Sequence, residues 1–318
     1  MPARSAPVEA ITRPAPNRAA PKSRDTGRLR RSDQIWGYLL IAPTVLGLGV
    51  FYLWPTVQTF YFSFTDWGIF GGQTWTGLEN YRELIDPAFG RSMLNTLLYT
   101  AIVVGLGIPL ATVVAALLNV EGLAFRSWYR AAYFIPVVTL PAAVGVMWRW
   151  LYNGDFGILN HLLSLVGISG PAWISNPSIA LPAIAVVGIW MTLGYNVVII
   201  LAGMQEVPRH LYEAAMIDGA GPVRRFLSIT VPMISPTLFF VTVLGVIRGL
   251  QVFDIVFLMV GQTSPAFENV RPIVYFFYQS GFVENDKGYA AAVAFVLFVV
   301  IAAMTALQFA VQRRWVQQ

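Results

Sequence analysis

Six long apolar segments constrain this 318-residue chain more than any other feature of its sequence. A helix needs about 20 mostly apolar residues to cross the hydrocarbon core of a bilayer. Segments of that kind cover residues 35–64, 94–118, 131–151, 179–204, 229–250 and 289–311. A seventh apolar run, Pro272 to Phe282, is rich in aromatic residues and is better explained as an amphipathic helix on the outer surface. The sequence therefore predicts an all-α integral membrane protein with six transmembrane helices.

The composition agrees with a membrane protein. Hydrophobic residues make up 56% of the chain and charged residues only 12%, whereas soluble domains carry about 25% charged residues. The chain has no cysteine, which excludes a disulfide framework and thiol chemistry. Between the first two apolar segments, Thr65 to Met93 is predicted to form a small packed cap that includes a short helix.

Residues 1–33 are rich in Pro, Ala and Arg and carry eight of the 21 basic residues. This composition predicts a disordered tail that is attracted to anionic membrane lipid, and it argues against a nucleic-acid-binding segment. The apolar segment that follows is too long for a cleavable signal peptide and lacks a small-residue cleavage site. We therefore expect residues 34–318 to form one six-helix membrane domain.

The distribution of Lys and Arg predicts the orientation of the six spans. With the N-terminus inside the cell, the inner segments carry fifteen basic residues, and the outer segments carry four: Arg82, Arg91, Arg271 and Lys287. This asymmetry predicts that both termini are cytoplasmic. It also places the polar loop of residues 205–230, between the fourth and fifth spans, in the cytoplasm.

The segment from Glu206 to Pro232 is the longest polar interval in the second half of the chain. Pro208 suits the first turn of a helix, good helix formers follow from Arg209 to Ile217, and Gly219 with Pro222 ends that helix. Four residues are predicted to group on its apolar side: Leu211, Ala214, Ala215 and Met216. A short exposed helix of this kind suits insertion into a groove on a partner protein.

This loop resembles the EAA signature of the inner-membrane permease subunits of binding-protein-dependent ABC importers. Glu213-Ala214-Ala215 is followed by Gly219 after three residues, and then by Ile229 and Pro232. Val231 stands where the family usually has leucine. Further matching segments are LNTLLYT (94–100), YFIP (133–136), MWRWLYNGDFGILN (147–160), LYEAAMIDGAGP (211–222) and QVFDIVFL (251–258).

The resemblance extends over about residues 34–314 and is greatest to the carbohydrate branch, in particular to the maltose-type "F" subunit. It implies a type I ABC importer permease (MetI-like) fold in a bacterial inner membrane. It also implies four kinds of partner: a second permease subunit, two ATP-binding subunits, an extracytoplasmic solute-binding protein and a sugar substrate. The chain departs from the carbohydrate branch after the fifth span, where Gly261-Gln262-Thr263-Ser264-Pro265 replaces the usual Gly-Gly-Pro.

The resemblance implies that the loop helix couples the permease to an ATP-binding subunit. The coupling residues would be Glu213, Ala214, Ala215, Asp218, Gly219 and Ala220. Small Ala and Gly residues allow a partner to approach closely, and Glu213 and Asp218 could pair with its basic groups. The alternative is that both acids belong to a solvated helix and Gly219 merely caps it.

Polar side chains within the fourth and fifth spans form a second candidate site, because such groups at bilayer depth usually face a bundle interior or a wet path. They are Thr192, Tyr195, Asn196, Arg248, Gln251 and Asp254. The resemblance implies a sugar site at or near Met191, Thr192, Tyr195, Arg248 and Gln251.

The spacing of three between Arg248, Gln251 and Asp254 predicts that they share one helix face. For Arg248 the alternatives are an ion pair with Asp254 or snorkelling to the outer surface. For Tyr195 the alternative is ordinary helix packing.

The sequence offers no enzyme, cofactor or metal chemistry. It has no phosphate-binding Gly-x-x-x-x-Gly-Lys-Ser/Thr loop, and the predicted topology places His161 and His210 on opposite sides of the membrane. We therefore expect a protein without enzymatic activity, and the resemblance implies that it is a transport subunit of an ATP-driven sugar importer. The alternatives are a permease for another solute, such as an amino acid or glycerol phosphate, an autonomous secondary transporter, or a membrane enzyme.

Overall fold

A computed structural model describes residues 31–67, 72–120, 122 and 124–315. Most of the predicted disordered tail, residues 1–30, lies outside the described residues, and its disorder stays a prediction. The chain divides into two units, Met1–Pro55 and Thr56–Gln318.

The first unit contains helix α1 (Arg31–Leu48) and a π-helical turn (Gly49–Leu53) that leads into α2 (Trp54–Phe62). Together they provide a 29-residue candidate span, Gln34–Phe62, close to the predicted first span. Large apolar side chains such as Tyr38, Leu40 and Phe51 are exposed. Exposed apolar surface of this extent is typical of a segment that contacts lipid or another membrane helix.

The second unit is mainly helical and has one two-stranded antiparallel sheet. Its elements are β1 (Thr65–Trp67), β2 (Gln73–Trp75), α3 (Glu79–Glu83), α4 (Pro87–Leu118), α5 (Arg126–Val138), α6 (Pro141–Leu151), α7 (Ile158–Leu165), α8 (Ala180–Gln205), α9 (Arg209–Ile217), α10 (Pro222–Arg225), α11 (Val231–Met233), α12 (Ser235–Leu250), α13 (Asp254–Met259), α14 (Phe267–Val270), α15 (Ile273–Tyr278) and α16 (Lys287–Trp315). π-Helical turns follow α10 and α15. The short helix predicted between the first two spans is α3, and the β1–β2 hairpin beside it departs from the purely α-helical prediction.

Within the described residues, four helices are long and apolar enough to cross a membrane: 34–62, 87–118, 180–205 and 287–312. Two bent helix pairs, residues 131–138 with 141–151 and residues 222–233 with 235–250, raise the number to six if each pair counts as one span. The predicted six spans therefore correspond to four long helices and two broken ones.

Proline residues account for the two breaks. The predicted third span bends by 106° between α5 and α6, where Leu140 has the extended ψ of 129° that a following proline, Pro141, favours. The predicted fifth span bends by 69° between α11, which contains Pro232, and α12, which has Pro236 in its first turn. A proline lacks the N–H of the helical hydrogen-bond ladder, which weakens a helix at that point.

Helices α4, α8 and α12 form the centre of the second unit. The first half of α4 packs on the first half of α8 through Tyr99 and Ile184, and their second halves meet through Ala115 and Ile200. These two helices therefore run in the same direction. On α12, Gly249 faces Thr100 of α4 and the earlier Gly245 faces Val104, so α12 runs in the opposite direction. These directions agree with even-numbered spans crossing one way and the fifth span crossing the other.

Glycine allows two of these helix contacts to be unusually close. A Cβ on Gly188 of α8 would overlap the hydroxyl of Tyr99, and a Cβ on Gly194 would overlap the backbone carbonyl oxygen of Tyr133 on α5. Small residues at helix interfaces allow this kind of backbone approach in membrane proteins. The position of α5 against α8 therefore depends on the absence of a side chain at Gly194.

The aromatic run at residues 272–282 has the predicted short length, and one of its faces packs on the rest of the second unit. The apolar helical stretch Ile273–Val283 is shorter than the four long spans. Ile273, Tyr275 and Phe276 are buried, and Ile273 and Phe276 share an apolar cluster with Val293 of α16. The run is therefore amphipathic, as predicted, and its place on the outer surface of the membrane stays a prediction.

A buried arginine ties the segment between α13 and α16 to the start of α4. Arg271 is only 6% exposed; its Nη2 lies 3.0 Å from Oε2 of Glu268, and its Nε donates to Oγ of Ser92 at 3.2 Å. The Asn95 amide donates to the backbone carbonyl oxygens of Glu268 (2.9 Å) and Arg271 (3.2 Å). The rings of Phe267 and Phe276 also lie near the guanidinium. This network positions the segment because the buried polar groups of Arg271, Ser92 and Asn95 would otherwise lack partners.

We expect Arg271→Leu to destabilise the protein by about 1–3 kcal/mol, because the buried hydroxyl of Ser92 would lose the hydrogen bond that Arg271 donates to it. The measurement is thermal unfolding of the purified chain in detergent, together with proteolysis of residues 261–283. The exposed Arg82 provides the control, since Arg82→Leu should change stability by less than about 0.5 kcal/mol. Equal melting temperatures for the two variants would contradict the anchoring role.

Candidate functional site: an exposed loop helix and a membrane-depth cation

Helix α9 has the predicted bounds, Arg209–Ile217, and a glycine-dependent C-terminus. The amide of Gly219 donates to the carbonyl oxygen of Met216 at 3.0 Å, and the amide of Ala220 donates to that of Ala215 at 2.8 Å. This pair of hydrogen bonds is the Schellman motif, which requires a left-handed residue after the helix. Gly219 fills that position with a φ of +74°.

The inner side of α9 is anchored to the bundle. Leu211 and Tyr212 pack against the apolar cluster around Met204. The hydroxyls of Tyr212 and Thr230 share a hydrogen bond of 2.9 Å. This bond links α9 to the residues immediately before α11. The predicted apolar side was partly wrong, because Ala214 and Met216 are exposed while Leu211 and Ala215 are half-buried.

The outer side of the loop combines acidic and apolar residues, and we call it the loop face. It consists of Glu213, Ala214, Met216, Ile217, Asp218, Val223 and Leu227, all exposed. Ile217 is 87% exposed and Val223 is 70% exposed. Within the described part of the chain, neither Glu213 nor Asp218 forms an ion pair. Grouped exposed apolar side chains with a polar rim mark protein interfaces, and the unpaired carboxylates leave two charges available to a partner.

Inside the second unit, the structure brings two of the predicted pathway residues into direct contact. The guanidinium carbon of Arg248 on α12 lies 4.3 Å from the ring centroid of Tyr195 on α8, within the range of a cation–π interaction. A small cavity of about 60 Å³ lies beside them. Its lining includes Thr192 and Asn196 of α8 together with Arg248. The side chains of Arg248 and Tyr195 therefore interact directly with each other, so Tyr195 does more than pack between helices.

The prediction of a shared face for Arg248, Gln251 and Asp254 was wrong. Helix α12 ends at Leu250, Gln251 follows it as a cap, and Asp254 begins the separate helix α13. Gln251 and Asp254 are both exposed, and no ion pair between Arg248 and Asp254 is present. The break removes the helical periodicity on which the shared face depended.

The other predicted pathway residues have more ordinary surroundings. Met191 packs against the apolar cluster of the first half of α8. The Thr192 hydroxyl donates to the carbonyl oxygen of Gly188 at 2.9 Å, so its proton is already used within the helix. Gly245 and Gly249 also line the cavity and were not among the predicted residues. Their spacing of four is the small-residue pattern of close helix packing.

A larger apolar groove of about 440 Å³ lies between α5 and the second half of α8. Tyr133 and Phe134 line one side, and Val198, Leu201 and Gln205 line the other. No sequence pattern indicated it, because it depends on the bend that displaces α5. Among the described residues, no group of three or more His, Cys, Asp or Glu side chains could hold a metal ion.

Three relatives are similar to this chain over most of their length. The arabinooligosaccharides transport system permease protein AraP of Bacillus subtilis is 34% identical over 266 residues, which cover 83% of this chain and 84% of the relative. The sn-glycerol-3-phosphate transport system permease protein UgpA of Pectobacterium atrosepticum is 32% identical, with 86% and 92% covered. The sulfoquinovosyl glycerol transport system permease protein SmoG of Agrobacterium fabrum is 31% identical, with 88% and 91% covered.

The fold is also similar to that of a solved transporter. A chain of the bacterial alginate ABC transporter, crystallised with an alginate pentasaccharide-bound periplasmic protein, superposes with a TM-score of 0.81 at 21% identity. The match covers 90% of this chain and 97% of the other. Residues 88–317 match the family described as "Binding-protein-dependent transport system inner membrane component". The chain belongs to this family, as the EAA-like loop and the arrangement of its spans predicted.

Proposed function

We propose that the chain is the permease subunit that forms the translocation pathway of an ATP-driven ABC importer for a sugar or a sugar-related polyol. The solute would be delivered by an extracytoplasmic binding protein. Relatives at 31–34% identity are named for arabinooligosaccharides, glycerol phosphate and a sulfoquinovosyl glycerol, and their common chemistry is a hydroxylated carbon chain or ring. This supports a polyhydroxylated solute over an amino acid.

The main support for this proposal is the exposed loop face, because it is suited to docking a separate ATP-binding subunit. Helix α9 presents Glu213, Ala214, Ile217 and Asp218 to solvent, while Tyr212 holds the helix to the bundle from behind. ATP binding and hydrolysis would belong to that subunit, since this chain lacks a phosphate-binding loop. The chain itself would catalyse no reaction.

The proposed orientation puts both termini and α9 in the cytoplasm, where ATP is available. The excess of Lys and Arg in the inner segments supports it. A second permease subunit would cover part of the exposed apolar surface, and two ATP-binding subunits would dock on the two permeases. The bilayer would cover the remaining apolar surface.

The contacts of α9 provide a route from ATP to the pathway. Closure of the ATP-binding subunits would displace α9, and the Tyr212–Thr230 hydrogen bond would transmit that displacement to α11 and α12. Helix α12 carries Arg248 near its far end. A movement of α9 would therefore change the position of the pathway cation relative to α8, as alternating access requires.

The test is a mild-detergent pull-down of the tagged chain, followed by an ATPase assay and ATP-driven uptake of labelled sugars in liposomes. We expect an ATP-binding protein and a second multi-span protein to co-purify. We also expect the loaded binding protein to stimulate ATP hydrolysis. An autonomous secondary transporter predicts the opposite result, in which the chain purifies alone and an ion gradient drives uptake.

A further inference from the structure

Arg248 lies against the middle of α8, one of the candidate membrane spans. Its neighbour Tyr195 lies about 15 Å from the C-terminal end of α8 and about 22 Å from its N-terminal end, given a rise of 1.5 Å per residue. Arg248 itself lies about 20 Å along α12 from Ser235. A charged side chain at this depth is costly unless it has a counter-charge or faces a water-filled path.

Nothing in the described part of the chain supplies a counter-charge to this cation. Among the residues that the structure describes, no carboxylate lies within ion-pair distance of Arg248, and its side chain is exposed. The buried Arg271 is different, because it has Glu268 at 3.0 Å and further hydrogen bonds to Ser92 and Gln279. The charge of Arg271 is thus paired, whereas the charge of Arg248 has no carboxylate partner among the described residues.

The contact with Tyr195 decides what this site can bind. The guanidinium lies over the tyrosine ring at 4.3 Å, so that face of the ring is not free to stack against the C–H face of a neutral sugar. The ring instead holds the planar guanidinium in a fixed place. The edge of a stacked guanidinium keeps N–H donors arranged to bind two oxygens of one anionic group.

A second donor faces the same space. Asn196 lines the cavity beside Arg248, and its amide makes no hydrogen bond with any other described residue. The close approach of α4 and α12 at Gly245 and Gly249 keeps the cavity small, at about 60 Å³, which is the size of a single polar group rather than of a sugar ring. The arrangement therefore suits one anionic head with the rest of the solute outside.

We propose that the transported solute is an anionic sugar or polyol, bearing a phosphate, carboxylate or sulfonate group, and that Arg248 binds this group with help from Asn196. This inference rests on the proposed importer function and narrows its substrate class. Tyr195 acts as a positioning residue, since it holds the guanidinium rather than the solute.

The test uses the complete importer with its binding protein, reconstituted in liposomes. ATP-driven uptake is measured for matched neutral and anionic probes: glycerol and glycerol 3-phosphate, glucose and glucuronate, glucose and its 6-sulfonate, and neutral and uronate oligosaccharides. We expect uptake of anionic members. For the transported anion, Arg248→Gln should raise KM by about 10- to 100-fold, the effect of losing a charged hydrogen-bond partner, with a smaller change in kcat.

Two further variants separate binding from structure. Tyr195→Leu removes the ring beneath the guanidinium and should raise KM by a smaller factor than Arg248→Gln. The exposed Arg82 lies outside the pathway, and Arg82→Gln should leave uptake unchanged.

Three outcomes would overturn the inference. The first is uptake confined to neutral probes, and the second is an unchanged KM for an anion in Arg248→Gln. The third is loss of the second permease subunit from the purified Arg248→Gln complex, which would assign the charge to an interface. Failure of every probe to enter, without stimulated ATP hydrolysis, would instead overturn the importer assignment itself.

Discussion

Gly219→Val is expected to abolish coupling between this chain and its ATP-binding subunit while leaving the membrane domain folded. Gly219 has a φ of +74°, and a left-handed conformation costs an ordinary residue roughly 1–2 kcal/mol and is more unfavourable for a β-branched one. The Schellman hydrogen bonds from Gly219 and Ala220 would be lost, and the turn that presents Asp218 would be rebuilt. The folded core should survive, because nothing lies within 4 Å of a Cβ at this position.

The measurement is ATP hydrolysis stimulated by the loaded binding protein, together with co-purification of the ATP-binding subunit. We expect stimulated hydrolysis to fall at least tenfold, an effect of about 1.4 kcal/mol or more. Gly221→Ala is the matched control in the same loop, because Gly221 has a φ of −68° and open space around its Cα. Normal hydrolysis in Gly219→Val, or an equal loss in Gly221→Ala, would refute the coupling role of the turn.

Glu213→Lys tests the charge of the loop face independently of its backbone. Glu213 is exposed and has no ion-pair partner among the described residues, so the substitution should not unfold α9. Reversing the charge places a cation where a basic partner group is proposed, and the ATP-binding subunit should be released. Retention of that subunit would mean that Glu213 is only a solvent-exposed residue of the helix.

Local sequence patterns predicted those features that depend on near neighbours in the chain. Helix α9 begins and ends as predicted because Pro208 and Gly219 act through their own backbone conformations. The long spans were predictable because lipid requires about 20 consecutive apolar residues regardless of tertiary packing. The family resemblance added the proposal of a coupling role, which geometry alone would not specify.

Features that depend on tertiary packing were not predictable from the same patterns. The break after α12 follows no proline; Phe253 adopts a φ of −144° and ψ of −62°, while the adjacent Val252 and Ile255 are buried. Burial of these side chains favours the break over a continuous helix. Without it, Gln251 would lie one helical turn beyond Arg248 and close to the same face, and no local sequence pattern predicts the break.

The contact between Arg248 and Tyr195 could not be predicted from the sequence either, although both residues were identified as pathway candidates. Their separation of 53 positions contains no periodicity, and the contact depends on how α8 and α12 are rotated against α4. Small residues set that rotation, since Gly188, Gly245 and Gly249 each face an α4 side chain at close range. The candidate residues were therefore predictable, whereas their geometry depended on helix packing.

Gly194→Ala should destabilise the protein more than any other single-methyl change in α8. A Cβ at Gly194 would overlap the carbonyl oxygen of Tyr133 and lie 3.1 Å from a Val137 methyl carbon. The obstacle is backbone, which cannot move aside as a flexible side chain can. Either α5 must shift away from α8, or both helices must distort. Overpacking of this kind costs about 1–3 kcal/mol, and it exceeds the gain of about 0.5–1 kcal/mol that alanine brings to a helix.

Gly105→Ala supplies the control, because Gly105 lies inside α4 with nothing within 4 Å of its Cβ position. Gly105→Ala should leave the free energy of unfolding unchanged or raise it by about 0.5–1 kcal/mol. The melting temperature of the detergent-purified chain should therefore fall in Gly194→Ala and stay the same or rise in Gly105→Ala. Gly194→Ala should also alter the groove between α5 and α8, because Gly194 and Tyr133 both line it. If Gly194→Ala melts at or above the wild-type temperature, α5 does not pack on α8 at this distance.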